Sequence, residues 1–180
     1  MTGPGISIRI RAAEPEDFDA WVDLFEAVAA EGKWLGSEVP FDRDARRRGY
    51  DQTMADPGAA IFLAEAGGDD APTEQVGNIY IHVEPSGVAD LGMAVADGWR
   101  GQGVGSALMA AAVDFAREHG AHKVTLQVWP HNTRAIALYE RFGFEHEGRL
   151  RRHWRRQNGQ LWDAVVMGLV LDETTPGSPY

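Results

Sequence analysis

Val95-Ala96-Asp97-Gly98-Trp99-Arg100-Gly101-Gln102-Gly103-Val104-Gly105-Ser106 is the stretch on which the reading of this chain turns. An apolar run, Leu91 to Val95, enters a tight turn with three alternating glycines, and an amphipathic helix follows. The helix is predicted from Val104, Leu108, Ala111, Ala112 and Phe115, which recur at i, i+4, i+7, i+8 and i+11. Glycines at a helix start let backbone approach a ligand closely. The unpaired N–H groups and the positive dipole end there favour an anion, phosphate above all. The loop is therefore a candidate cradle for a phosphorylated cosubstrate.

Two familiar cradles do not fit. A Walker loop ends in Gly-Lys-Ser/Thr, and no lysine follows these glycines. A dinucleotide fingerprint needs G-x-G-x-x-G, and Gly101-x-Gly103-x-x-Ser106 lacks its last glycine. The spacing Arg100-x-x-Gly103-x-Gly105 resembles the acetyl-coenzyme A pyrophosphate loop of the GNAT superfamily of N-acetyltransferases, Gln/Arg-x-x-Gly-x-Gly/Ala. Downstream, Val124 to Val128 alternates as a strand. The run Asn132-Thr133-Arg134-Ala135-Ile136-Ala137-Leu138-Tyr139-Glu140-Arg141-Phe142-Gly143-Phe144 then resembles the second signature of the same family. Both motifs stand in the family's order and at about its spacing. The pattern is most similar to the phosphinothricin and L-amino-acid acetyltransferase-like branch.

The chain of 180 residues is long enough for a full core and is read as one domain, 1–172, with a tail at 173–180. With 44% hydrophobic and 24% charged residues it reads as globular, and no apolar run approaches the ~18 residues of a membrane span. A net charge of −10 argues against nucleic acid as partner. The chain has no cysteine, which removes disulfides, thiol nucleophiles and zinc–thiolate sites, and its six histidines form no H-x-x-x-H or H-E-x-x-H pattern. No metal is expected. Met1 to Gly5 lacks the basic and apolar regions of a secretory signal, which makes cytoplasmic the expected location. Basic residues gather at Arg46 to Arg48 and at Arg149, Arg151, Arg152, Arg155 and Arg156; each group reads first as a solvated face, the second also as a carboxylate holder.

In order, the chain predicts a strand at Ile6 to Ile10, a helix opened by Pro15 and running to Ala30, and a loop to Pro40. A second helix follows from Arg43 to Met54, capped by Asp42. Strands are expected at Ala60 to Ala66, Val76 to Val83 and Val88 to Val95, with an acidic turn at Gly67 to Pro72 between the first two. The loop helix runs to about His119, a strand to Trp129 follows, and Asn132 caps the fourth helix. Asn158-Gly159 is read as a two-residue turn of a closing hairpin. The class is mixed α/β. The resemblance implies a mostly antiparallel sheet splayed between strands four and five, where the pantetheine arm enters, flanked by about four helices.

Acetyl transfer to an amine makes three demands. The amine must lose its proton, the developing oxyanion needs a donor, and the leaving thiolate needs a proton. The resemblance implies Tyr139 as the acid and Asn132 as a cosubstrate contact; their plain readings are a core aromatic and a helix cap. It places the base on the fourth strand at Asp90, where related enzymes commonly carry glutamate, so the shorter side chain favours a water relay. Glu38 and Glu84 are rivals. Main-chain groups of Met93 and Val95 are implied to pair with pantetheine, and Arg100, Gly101, Gln102, Gly103, Gly105 and Ser106 to face the pyrophosphate. Arg100 either pairs with phosphate or braces the loop. The acceptor pocket is implied to lie between the loop holding Trp34 and Glu38 and the last hairpin, with His153, Trp154 and Trp162. The expected function is acetyl-coenzyme A-dependent acetylation of a small-molecule primary amine, an amino acid or relative, by direct attack; a homodimer is expected on family grounds. The alternatives are acetylation of a protein N-terminus or lysine, and a non-catalytic acetyl-coenzyme A sensor.

Overall fold

The computed structural model describes residues 7–67 and 73–172. Most of the acidic turn expected at Gly67 to Pro72, the strand start expected at Ile6 and the tail at 173–180 lie outside the described residues. Among the described residues seven strands and four α-helices follow one another as β1 (Ser7–Ala12), α1 (Phe18–Ala30), α2 (Arg43–Ala55), β2 (Ala59–Gly67), β3 (Glu74–Val83), β4 (Val88–Val95), α3 (Val104–Glu118), β5 (Lys123–Val128), α4 (Thr133–Arg141), β6 (Glu145–Arg155) and β7 (Leu161–Val170). They form one sheet in the order β1-β2-β3-β4-β5-β7-β6. All neighbours are antiparallel except β4 and β5, whose parallel pairing covers only Val88↔Lys123, Ala89↔Val124 and Asp90↔Thr125. Beyond Asp90 the two strands part, so the expected splay is present.

Period-two alternation assigns each strand two faces. Ile79, Ile81, Ala89, Leu91, Val124 and Leu126 turn to the face covered by α3 and α4, where Leu108 and Met109 are fully buried. Each such side chain removed from water contributes about 1.5–3 kcal/mol. Ile61, Leu63 and Tyr80 turn to the opposite face, against Phe18, Trp21 and Val22 of α1 and Tyr50 of α2. Ala94 meets Leu24 and Val28 on that same face. Asp90 and Gly92, in step with Ala94, therefore look towards α1 and α2 as well.

Local signals were mostly obeyed. Asp42 caps α2 by accepting from the Ala45 N–H at 2.9 Å, and Asn132 caps α4 by accepting from the Ala135 N–H at 3.2 Å. Three expectations need correction. Pro15 opens a short 3-10 turn, Pro15–Asp17, and α1 proper starts at Phe18; Asp17 is held there by the Arg11 guanidinium at 2.6 Å and by the Glu14 N–H at 2.7 Å. The fifth strand stops at Val128, one residue before Trp129. The hairpin turn is centred on Gln157 and Asn158: the Gly159 N–H bonds the Arg156 carbonyl at 2.9 Å, and Gly159 alone of the turn takes positive φ, at 82°. That is a type I turn closed by a glycine bulge, because the register demands one left-handed residue rather than two.

Candidate active site

The parting of β4 from β5 opens a cleft of about 1620 Å³ that runs from the sheet face under α1 and α2 to the start of α3. Two ladder bonds fix which backbone groups look into it. The Ala96 N–H bonds the Val76 carbonyl at 2.9 Å, and the Glu84 N–H bonds the Val88 carbonyl at 2.9 Å. Even-numbered residues of β4 therefore bond to β3, and the odd ones, Met93 and Val95, point N–H and C=O the other way. No β5 residue pairs with them; the Val95 carbonyl is taken by the Arg100 guanidinium, and the Val95 N–H and both backbone groups of Met93 are left without a strand partner.

At the far end, Gly103 sits at the N-cap of α3 with φ 89°, a conformation in which a side chain is strained. No side chain caps this helix, and its first backbone bond is Ala107 N–H to Gly103 O at 3.0 Å. Among the described residues the N–H groups of Gly101 to Ser106 have no partner, a row of donors at the positive end of a helix of about four turns. Gly105 serves a second need: a Cβ there would lie 3.1 Å from Leu138 Cδ2, so glycine lets the first turn of α3 lie close to α4 without displacing that side chain.

Arg100 braces the loop. Its Nε donates to the Val95 carbonyl at 3.0 Å, its Nη1 to Glu31 Oε2 at 2.8 Å, and its Nη2 also reaches Glu31. The Gln102 amide likewise turns back on the Gly98 carbonyl. Hydrogen bonding from Arg100 pulls the Glu31 carboxyl below the ordinary 4.5. A carboxyl depressed on folding adds stability above its unfolded pKa, lost as pH falls through the folded value. Glu31→Gln is expected to lose about 1–2 kcal/mol at pH 7, a partly buried pair being worth more than an exposed one. Thermal melts should show the gap from wild type closing as pH falls below 4.5; a constant gap would contradict the pairing.

Tyr139 on α4 lines the cleft and is buried, its ring 5.8 Å from that of Phe144. Its hydroxyl has no hydrogen-bond partner among the described residues, and burial pushes its pKa up to about 12. It is a proton donor throughout the neutral range. Asn132 lines the same wall; with its oxygen engaged in the cap, its NH2 remains to donate. Asp90 stands where β4 leaves β5, lining the cleft from the α1/α2 face. Desolvation raises its carboxyl above the ordinary aspartate value, against a smaller lowering by His82. His82, its partner on β3, lies between Asp90 Oδ1 at 3.9 Å and Asp56 Oδ2 at 3.3 Å.

The remaining sequence candidates divide. Trp34 lines the cleft, with its Nε1 donating to Glu31 at 2.6 Å and Arg100 over its ring at 5.5 Å. Glu38 is outside the cleft lining: it accepts from the Gln157 N–H at 2.9 Å and faces Arg156 at 3.4 Å. Glu84 is also outside it, near the Ser86 hydroxyl at 3.4 Å. The late arginine group is not one surface. Arg156 is buried, donating to the Leu35 and Gly36 carbonyls at 3.1 Å over the Trp162 ring, and Arg149 pairs with Asp163 at 2.7 Å. Phe25, Arg46 and Tyr80 also line the cleft, and none of them was a site candidate from the sequence. The turn at Pro85 to Gly87 held a signal for Tyr80, since the register it sets places Tyr80 beside Gly92 and His82 beside Asp90.

A model of the Acetyltransferase (GNAT) family matches residues 21–144, which carry both the glycine loop and Tyr139. The chain belongs to this family. As a GNAT enzyme it is an acetyl-coenzyme A-dependent N-acetyltransferase. The L-amino acid N-acetyltransferase AaaT of Escherichia coli K12 is 31% identical over 169 residues, spanning 91% of this chain and 98% of that protein. The streptothricin acetyltransferase of Streptomyces lavendulae is 52% identical over 144 residues, 80% of this chain and 65% of that one. A phosphinothricin acetyltransferase from Sinorhizobium meliloti, solved in complex with AcCoA, has the same fold, with a TM-score of 0.80 at 18% identity over 96% of this chain and 93% of that chain. The GNAT cosubstrate fits what the cleft offers: donors for phosphates at α3 and an open strand edge for an amide-bearing arm.

Proposed function

We propose that this GNAT enzyme acetylates the primary amine of a small molecule, an amino acid or related amine, by direct attack within the cleft between β4 and β5. What carries the reading is the position of Asp90 and Tyr139 in the walls of one cleft, the first with a raised carboxyl pKa and the second with a raised hydroxyl pKa. Burial raises both: a carboxylate made more basic suits a base, and a hydroxyl held protonated suits an acid. The names of similar proteins, an L-amino acid N-acetyltransferase among them, support a small amine as acceptor.

In this reading the N–H groups of Gly101, Gln102, Gly103, Gly105 and Ser106 hold the pyrophosphate, and Arg100 keeps their loop in shape. Met93 and Val95 bind the pantetheine arm as a neighbouring strand would, with the Asn132 amide on the opposite wall. Bound acetyl-coenzyme A supplies an activated acetyl group and a thiolate leaving group. Asp90, directly or through one water, takes the proton of the incoming ammonium; the open β4 edge offers the Met93 N–H to the carbonyl oxygen as charge builds; Tyr139 protonates the departing sulfur and recovers a proton from the attacking nitrogen, which leaves the neutral amide. Trp34 forms part of the acceptor wall. Glu38 acts at one remove, anchoring through Arg156 and Gln157 the loop that carries Trp34. A homodimer and a cytoplasmic setting belong to the same proposal, and sedimentation tests the first. Among the described residues no helix is long and apolar enough to cross a membrane.

Asp90→Asn tests the base. Wild-type kcat/KM is expected to fall on the acid side as the Asp90 carboxyl takes its proton, at a pH above the ordinary aspartate range. The variant should lose about 100-fold in rate and that acid limb with it. A variant with the wild-type profile would clear Asp90. Thiol release measured with amino acids, polyamines and short peptides then separates small amines from protein N-termini and lysines; turnover of peptides alone would replace the proposal.

A further inference from the structure

Arg43, Arg46 and Arg47 stand on one helix, and their surroundings differ. Arg43 pairs with Asp23 at 2.6 Å and Glu26 at 2.7 Å, and Arg47 with Asp51 at 3.0 Å. Arg46 is the member that lines the cleft, and among the described residues it has no carboxylate within ion-pair distance. The nearby acids are spoken for: Asp42 caps α2, Glu38 is held by Gln157 and Arg156, and Glu31 by Arg100. One Arg46 nitrogen donates to the Ser37 hydroxyl at 2.8 Å, and the guanidinium lies 4.4 Å from the Phe41 ring centre and 5.1 Å from that of Phe25. Burial without a counter-charge lowers its pKa. A half-buried guanidinium, steered by two aromatic faces and a hydroxyl, with its other N–H donors unfilled, is a site for a planar anion.

The other walls state what the rest of the ligand is. Phe25, Trp34, Tyr80 and Trp154 line the same space; of its two acids, Asp97 lies by Arg100 in the glycine loop and Asp90 lines the wall under α1 and α2. One ligand answers all three features: an ammonium for Asp90, a carboxylate for Arg46 and an apolar side chain for the aromatic rings. We infer that Arg46 is the residue that selects an α-amino carboxylate as acetyl acceptor, so that the substrate is a free amino acid with an apolar or aromatic side chain. This rests on reading the cleft as the acceptor site. The phosphate site proposed above is elsewhere, at the start of α3.

The probes are phenylalanine, phenylalaninamide and 2-phenylethylamine. Wild type is expected to favour phenylalanine over the other two by about 10–100-fold in kcat/KM, the range of a charge-assisted bidentate contact. Arg46→Gln should lose that factor for phenylalanine, mainly through KM. It should keep its rate on the two carboxylate-free amines and its affinity for acetyl-coenzyme A; Arg46→Lys should fall between. Calorimetric titration of phenylalanine into the coenzyme A-loaded protein gives a readout independent of turnover, with binding to wild type and its weakening in Arg46→Gln expected. Equal use of phenylalanine and 2-phenylethylamine by wild type would overturn the inference and leave amine acetylation standing. A uniform loss on all three amines in Arg46→Gln would mark a structural role and overturn it too. No thiol release with any amine would defeat the functional reading; phenylalanine binding unaffected by Arg46→Gln would defeat the inference on its own.

Discussion

Gly103→Glu is expected to weaken acetyl-coenzyme A binding by at least ~100-fold, about 2.7 kcal/mol, while the sheet and its helices stay formed. Gly103 is exposed and a Cβ there would meet no atom within 4 Å, so the new side chain enters open space beside the unpaired N–H groups of α3. A carboxylate at a helix N-terminus takes those donors for itself and repels a phosphate that needs them. The left-handed φ of 89° adds strain of about 1–2 kcal/mol, felt in stability. Gly103→Ala separates the two effects, since it carries the strain without the charge and should lose less than about tenfold in affinity. Calorimetry with acetyl-coenzyme A and a thermal melt read both quantities. Wild-type affinity in Gly103→Glu would remove the loop from the phosphate site.

Tyr139→Phe is expected to lower kcat by about 100-fold or more and leave cosubstrate affinity within a few-fold of wild type. The ring packs against Phe144 and keeps that contact as phenylalanine. The hydroxyl bonds no described residue, so its removal orphans no partner, and stability should change little. What disappears is a proton source buried at the cleft wall. With its pKa pushed up to about 12, the hydroxyl stays protonated across the working range, so wild-type rates should show no alkaline fall from Tyr139 near neutrality. A full-speed variant would leave Tyr139 as a core aromatic and pass the acid role to solvent.

The parts of this protein visible in its sequence are those where backbone chemistry is local. Glycines at 101, 103 and 105, an Asn cap at 132 and the proline-bounded strand before it carry their geometry in their residue types, and the structure has the loop and the cap where they were expected and the strand one residue shorter. The splay was legible through family resemblance alone, since nothing in Leu91 to Val95 says that pairing with β5 stops at Asp90. The arginines were the least legible. Arg156 and Arg46 look like any surface basic residue in a run of their kind. Yet one is buried under Trp162 and ties the Leu35 loop to the hairpin, and the other faces the cleft unpaired. Those differences come from contacts across more than a hundred residues for Arg156 and from the pairing of every nearby acid for Arg46, which no local pattern encodes. The turn at Asn158-Gly159 failed for a related reason: the residue types suit two turns, and the strand register chose.

Transfer of an acetyl group to a small amine in this cleft is open to direct measurement. The deciding measurement is thiol release from acetyl-coenzyme A in the presence of phenylalanine, with the product identified by mass and the Asp90→Asn protein run beside wild type. Amine-dependent thiol release and an N-acetylated amino acid from wild type, with turnover lowered about 100-fold in the variant, is the predicted result. Tight cosubstrate binding without thiol release for any small amine would contradict it and mark the protein as a sensor or a protein-directed acetyltransferase.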